Sequence, residues 1–256
     1  MALYAISDLH LALNVHKPMD IFGERWLNHD KKIMENWIRK ITDEDTVLIA
    51  GDISWSMKAE DSKADLDWID SLPGKKIISK GNHDYWWSSI SKLNSTYENM
   101  KFIQNNFYTY NDYAICGTRG WVSPDSDKFT EKDAKIYARE AIRLRLSLES
   151  AKNLGYSKII VMIHYPPFNE GDDESEFMKI FKEYNVEKVI YGHLHGPGRF
   201  KAKTGLINDI EYIKDKEVKV NRTYVLIKEL QNSLVFKDKK LFYVKYKNLI
   251  ESINTL

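Results

Sequence analysis

A chain of 256 residues is long enough for one large α/β domain or at most two small ones, and 43% apolar with 29% charged residues is the balance of a soluble globular protein. Its 38 basic and 37 acidic side chains leave a net charge of +1, which makes no broad electrostatic case for a nucleic acid or an anionic membrane. Cys116 stands alone, so no intrachain disulfide can form, and no apolar run approaches the roughly 18 residues of a membrane helix.

The opening Met1-Ala2-Leu3-Tyr4-Ala5-Ile6 has no basic stretch and no signal-cleavage site. With the single cysteine, this points to a reducing interior, the cytoplasm. In chain order, residues 2–7 read as a buried strand, 30–41 as an amphipathic helix, 46–50 as a strand, 58–71 as a helix and 76–79 as a strand. Aromatic runs at 102–103, 107–110 and 113–116, broken by Asn-Asn and Asn-Asp, are expected to form antiparallel strands. Residues 131–153 carry helical periodicity, with Ile136, Ala138, Ile142, Leu144, Leu146 and Leu148 apolar among Lys, Arg and Glu. A strand at 159–163, a helix at 174–184 and a strand at 188–191 follow, and then strands at 223–227, 233–236 and 241–246. Alternating strand and helix argue for an α/β fold, assembled most simply as two packed sheets with helices outside. No linker divides the chain, so residues 1–256 read as a single domain in which 201–256, a mildly basic tail, either completes the second sheet or mediates self-association.

Each of the five strands outside the aromatic and tail regions runs into metal-ligating residue types. Residues 2–7 lead to Asp8-Leu9-His10, 46–50 to Gly51-Asp52, and 76–79 to Gly81-Asn82-His83-Asp84. Residues 159–163 end at His164, and 188–191 lead to Gly192-His193-Leu194-His195. The carboxyl ends of strands are where sites assemble in open α/β sheets. Five of the seven histidines lie in these segments; only His16 and His29 fall elsewhere, and both read as non-ligands. Singly, each motif is weak, since a lone His is more often a structural hydrogen-bonding residue. The five in this order, each after a strand, are specific as a set. Mixed carboxylate and imidazole donors suit Mn, Fe, Zn or Ni, whereas an all-oxygen set suits Mg or Ca.

The series Asp8-x-His10, Gly51-Asp52, Gly81-Asn82-His83-Asp84, His164 and Gly192-His193-x-His195 resembles the calcineurin-like metallophosphoesterases, over residues 1 to about 200. The resemblance implies an α/β two-sheet sandwich flanked by helices, two divalent metals and hydrolysis of phosphoric esters. It implies Asp8, His10, Asp52 and His195 around the first metal and Asp52, Asn82, His164 and His193 around the second, with Asp52 bridging. One carboxylate can span metals about 3.5–4 Å apart, and such a pair lowers the pKa of a shared water toward about 7, providing hydroxide for in-line attack on phosphorus. By the same resemblance His83 faces the substrate and assists the leaving group, with Asp84 orienting it. Asp84 also reads as a helix N-cap before residues 85–90.

Trp55, Tyr85, Trp86 and Trp87 follow the second and third loops, either as an aromatic wall for the substrate or as packing beneath the loops. Many relatives have Asp at the position of Trp55, and the departure bears on substrate subclass. Arg119, between Gly117-Thr118 and Gly120-Trp121, could clamp a phosphate or form a salt bridge. The expected substrate is a small phosphomonoester, phosphodiester or nucleotide. A Ser/Thr protein phosphatase fits less well, because Gly51–Met57 lacks the Asp-Arg-Gly continuation and Asp84 stands where those enzymes have Glu. A nuclease lacks support from net charge, and an inactive binding scaffold is disfavoured because every ligand position and His83 are retained.

Overall fold

The computed structural model describes residues 1–169, 174–214 and 225–227. In chain order its elements are β1 (Leu3–Ile6), α1 (His29–Lys40), β2 (Thr46–Ala50), α2 (Lys63–Ser71), β3 (Lys75–Ser79), α3 (Ile90–Thr96), β4 (Met100–Ile103), β5 (Tyr108–Tyr110), β6 (Tyr113–Thr118), α4 (Glu131–Asn153), β7 (Lys158–Ile163), α5 (Glu176–Glu183), β8 (Lys188–Tyr191), β9 (Gly205–Ile207), β10 (Ile210–Lys214) and β11 (Val225–Ile227). They build two sheets, ordered β11-β1-β2-β3-β4 and β5-β6-β7-β8-β10-β9. Within the first, β1 to β4 run parallel and β11 lies antiparallel to β1. Within the second, β6, β7, β8 and β10 run parallel between antiparallel edges β5 and β9.

The central strands read as unbroken apolar runs because both of their faces are covered. Leu3 and Ala5 of β1 turn toward the second sheet and pack with Leu48, Ala50, Ile115, Ile160, Met162 and Ile190. Their neighbours Tyr4 and Ile6 turn the other way, onto a helix-side core with Ile33 and Trp37 of α1 and Leu66 and Ile69 of α2. The outer face of the second sheet is covered by α4 and α5, through Leu144, Leu148, Phe177, Ile180 and Phe181. The result is the expected sandwich, helix layers outside two facing sheets. Trp37 is fully buried, and its replacement by Ala would cost about 3–5 kcal/mol.

Several elements differ from the sequence expectation for identifiable reasons. β4 pairs parallel with β3, not antiparallel, because α3 is inserted between them and carries the chain back to the starting edge. In α4 the buried stripe is Tyr137, Ala141, Leu144, Leu148 and Ala151, whereas Ile142 and Leu146 face solvent. Thr130 starts that helix with a capping box to Asp133, and Ser175 caps α5 through the Met178 N–H. The tail contributes to both sheets: β9 and β10 extend the second, but β11 pairs with β1 in the first. The strands expected at 233–236 and 241–246, and residues 223–224, lie outside the described residues. Among the described residues no helix is long and apolar enough to cross a membrane.

Candidate metal centre

β1, β2 and β3 of one sheet and β6, β7 and β8 of the other present their carboxyl ends at one edge of the sandwich, and the motif residues occupy the loops there. The backbone of those loops is bent sharply. Asp8, His10, Asp52 and His193 all have left-handed φ values, between 46° and 69°. Such conformations are costly for residues with a Cβ and collect where surrounding structure enforces them for function. The first two loops are also stitched together as if the strands continued: Asp8 N–H donates to Gly51 O at 2.9 Å, His10 N–H to Asp52 O at 3.0 Å, and Leu11 N–H to Ile53 O at 2.9 Å.

The side chains converge into two groups. In the first, His195 Nε2 lies 2.9 Å from Asp8 Oδ1 and 3.2 Å from His10 Nε2. In the second, His164 Nε2 lies 3.2 Å from Asp52 Oδ2 and 2.9 Å from Asn82 Oδ1, and His193 completes the set. Within each of the triads Asp8–His10–His195 and Asp52–His164–His193 the candidate ligand atoms lie within 4.8 Å of one another. Asp52 Oδ2 reaches across, 3.8 Å from His10 Nε2 and 4.0 Å from His83 Nε2.

Both aspartates are anchored through one oxygen so that the other is aimed inward. Asp52 Oδ1 accepts the His83 N–H at 2.8 Å, and Asp8 Oδ2 accepts the His193 N–H at 2.9 Å and the Ser7 hydroxyl. These anchors need the backbones to approach closely. A Cβ at Gly81 would collide with Asp52, and one at Gly192 with Ser7 Oγ and, at 2.6 Å, with Asp8 Oδ2. That is why glycine precedes both the Asn82 and the His193 positions.

The donor chemistry fits cations. His164 Nδ1 is 2.9 Å from Ala50 O, an interaction that requires the N–H there and leaves Nε2 as a lone pair in the neutral ring. That lone pair faces two further acceptors, Asn82 Oδ1 and Asp52 Oδ2, so a positive charge must sit among them. When that charge is a proton, burial opposes it but the Asp52 carboxylate prevails and holds the His164 pKa up at about 9. A divalent metal meets the same demand with all three atoms as ligands. His10 and His193 are pushed down to about 4, chiefly by burial, so they are neutral at pH 7 as ligation requires. Burial works against ionisation of Asp8 and Asp52, but the surrounding imidazoles hold both carboxyls low, Asp52 at about 2.

His83 is half-buried at the mouth, its ring 4.3 Å from Trp55 and 5.6 Å from His10; burial lowers its pKa. The carboxylate of the next residue, Asp84, makes its hydrogen bonds elsewhere. It is fully buried and accepts the N–H groups of Asp52 (3.0 Å), Ile53 (2.8 Å), Ser54 (3.3 Å) and Gly81 (2.7 Å), and Trp86 Nε1–H (3.0 Å). Burial and the nearby Asp52 carboxylate raise its pKa to about 6 against those donors. Asp84 therefore clamps the second and third loops and does not orient His83. Nor is it a helix N-cap: α3 starts later, capped by Ser89.

The aromatic residues divide. Trp55 stacks on His10 at 4.8 Å, beneath the Lys17 ammonium, and Tyr85 is exposed at the rim. Trp86 and Trp87 pack into the core under α3. Arg119 pairs with the buried Glu140 at 3.0 Å and lies over Trp121 at 4.3 Å, so it forms an ion pair in the structure. Three contributors were not evident in the sequence. His29 holds the first loop from behind, its Nε2 3.0 Å from Leu9 O and 3.2 Å from His10 O. Trp26 meets His10 and His195 edge-on, and Tyr165 packs 4.1 Å from His193. Their only sequence signals were position: adjacency to His164 for Tyr165, and a place in the segment after the first loop for the others.

The fold and its paired clusters define an α/β sandwich with a candidate binuclear site. Residues 1–197 match the family described as calcineurin-like phosphoesterase, and the chain belongs to that family. It is 25% identical over 167 residues, 61% of this chain, to a probable cyclic nucleotide phosphodiesterase of Vesicomyosocius okutanii subsp. Calyptogena okutanii (strain HA). It is 37% identical over 82 residues, 30% of this chain, to the gene 66 protein of Mycobacterium phage D29. The matches span 65% and 38% of those relatives, less than two thirds of either. Two solved structures share the fold: a phosphopantetheinyl hydrolase from Mycobacterium tuberculosis (TM-score 0.52, 14% identity, 83% of this chain and 88% of that one) and TT1561 of Thermus thermophilus (TM-score 0.54, 14% identity, 83% and 87%).

Proposed function

We propose that this chain is a metal-dependent phosphoric-ester hydrolase acting on a small phosphomonoester, phosphodiester or nucleotide. One observation carries the reading: a single oxygen, Asp52 Oδ2, lies 3.2 Å from His164 Nε2 of one cluster and 3.8 Å from His10 Nε2 of the other. Asp8, His10, His195 and Asp52 would hold one divalent ion and Asp52, Asn82, His164 and His193 a second, with Mn, Fe, Zn or Ni suited to the donors. Such a pair supplies an acidified water as nucleophile and neutralises charge on the phosphoryl oxygens.

The residues of the chain do the rest. Asp52 and Asp8, tied by backbone N–H groups, keep the donor atoms in fixed positions, so little reorganisation accompanies reaction. His83, half-exposed beside Asp52, would protonate the departing oxygen or stabilise its developing charge. Trp55, packed against both His83 and His10, restrains their rings. The likeness to a relative named as a phosphodiesterase supports including diesters among the substrates. Residues 1–256 are read as one domain, acting in the cytoplasm. The test is a panel of phosphomonoesters and phosphodiesters assayed with metal-loaded protein; hydrolysis of at least one is expected, and hydrolysis of none sinks the reading.

A further inference from the structure

His10 and His164 each serve one of the two ligand clusters, yet their rings are held by different means. A ligating imidazole ordinarily donates its second ring N–H to a carboxylate or carbonyl, which fixes the ring. His164 follows that rule through Ala50 O, 2.9 Å from its Nδ1. His10 does not. Its Nε2 faces the first cluster, 3.2 Å from His195 Nε2 and 3.8 Å from both Asp8 Oδ1 and Asp52 Oδ2. Its Nδ1 is buried and finds no hydrogen-bond partner among the described residues. Aromatic contacts hold the ring instead: Trp55 stacks on it at 4.8 Å, and Trp26 meets it edge-on at 6.0 Å. Trp26 also meets His195 edge-on at 5.8 Å, so one buried indole borders both imidazoles of the first cluster.

The backbone of His10 is held by the same short segment. His10 has a φ of 46° and Asp8 one of 56°, conformations costly for residues with a Cβ. Successive residues of a strand face opposite ways, so one donor reaches two consecutive carbonyls only where the chain leaves that form. His29 Nε2 does so here, 3.0 Å from Leu9 O and 3.2 Å from His10 O; both are acceptors, so that nitrogen carries the proton. His29 is buried at the start of α1, its ring edge-on to Trp26 at 5.4 Å. Residues 26–29 thus reach His10 twice, at its ring and at its carbonyl. We propose that Trp26 and His29 are positioning residues for the first metal. They set the ring and backbone of His10 in place of the Nδ1 partner it lacks, so loading of the Asp8–His10–His195 site alone depends on them. This rests on the two-metal reading of the site and is independent of which ester is cleaved.

The experiment is calorimetric titration of metal-free protein with Zn²⁺, with imidazole nitrogen NMR followed through the titration and thermal unfolding of each metal-free variant. Wild type should bind about two ions per chain. In His29→Leu one ion should bind as in wild type and the other roughly tenfold or more weaker. The His10 and His195 ring nitrogens should respond only to the weaker ion, and those of His164 and His193 to the other. His29→Gln, whose amide N–H can still reach the two carbonyls, should recover most of the lost affinity. Trp26→Leu keeps the His29 donor and should weaken the same ion by less. Wild-type loading of that ion in either folded variant, or equal weakening of both ions, would show a role confined to stability and overturn the proposal. A wild-type chain that binds fewer than two ions would strike at the two-metal reading itself, and the positioning role would fall with it.

Discussion

The backbone N–H of Asp52 donates to the side chain of Asp84 at 3.0 Å, joining the loop after β2 to the loop after β3. The same carboxylate collects four further N–H groups, so it fixes the platform on which Asp52 and Asn82 stand. Removing it strands buried donors, each costing about 1–3 kcal/mol when unsatisfied. Asp84→Ala is expected to lose about 3–5 kcal/mol of stability and at least tenfold in metal affinity. Urea unfolding of metal-free protein, alongside metal titration of the folded variant, checks both; wild-type values in both would refute the clamp.

His83 has a different signature. It lies at the mouth with its Nε2 4.0 Å from Asp52 Oδ2, and its ring is outside both ligand triads. His83→Ala should keep its full metal content while kcat falls by roughly 10²–10⁴. Loss of metal together with activity would make it a ligand instead.

Gly192 tests the anchoring of Asp8. A methyl group there meets Ser7 Oγ and Asp8 Oδ2, and Asp8 cannot retreat because the His193 N–H holds it. Gly192→Ala should weaken the Asp8–His10–His195 cluster selectively, lowering bound metal from about two to about one ion per chain by elemental analysis. Unchanged stoichiometry would show that the contact is relieved elsewhere.

Lys76 makes a prediction outside the site. Its side chain is buried and its ammonium donates to Leu72 O and, at 3.3 Å, to Asp70 O at the end of α2. Burial pushes its pKa down to about 8 from the ordinary 10.5. The unfolded chain thus binds this proton more tightly, and between those two pH values unfolding takes it up. Raising pH through that window removes the advantage of the unfolded state, so this contribution to native stability grows with pH. Compared with Lys76→Met by urea denaturation, the wild type should gain about 1 kcal/mol between pH 7.5 and 9.5 after allowance for solvent screening. Parallel stability curves would contradict it.

The strand positions were legible because residues such as Val47–Ala50 and Ile159–Ile163 are apolar without interruption, the mark of strands covered on both faces. The metal-ligand types were legible for a related reason, since each follows directly on such a run. The direction of β4 was not, because Met100–Ile103 is equally apolar in either orientation and only the short α3 connection decides it. Adjacency pairs Asp84 with His83, yet three of the five donors to its carboxylate lie about thirty residues away in sequence, at Asp52 to Ser54. Arg119 met Glu140 across 21 residues for the same reason. Contacts of that kind are set by how two sheets pack, and periodicity carries no record of them.

Asp52 Oδ2 lies within 4 Å of both His10 Nε2 (3.8 Å) and His164 Nε2 (3.2 Å), and metal stoichiometry coupled to turnover tests whether it joins two metal sites. Wild-type protein should bind about two divalent ions per chain and hydrolyse a phosphoric ester, and Asp52→Asn should lose metal and activity together. Full metal loading and full activity in Asp52→Asn would contradict it.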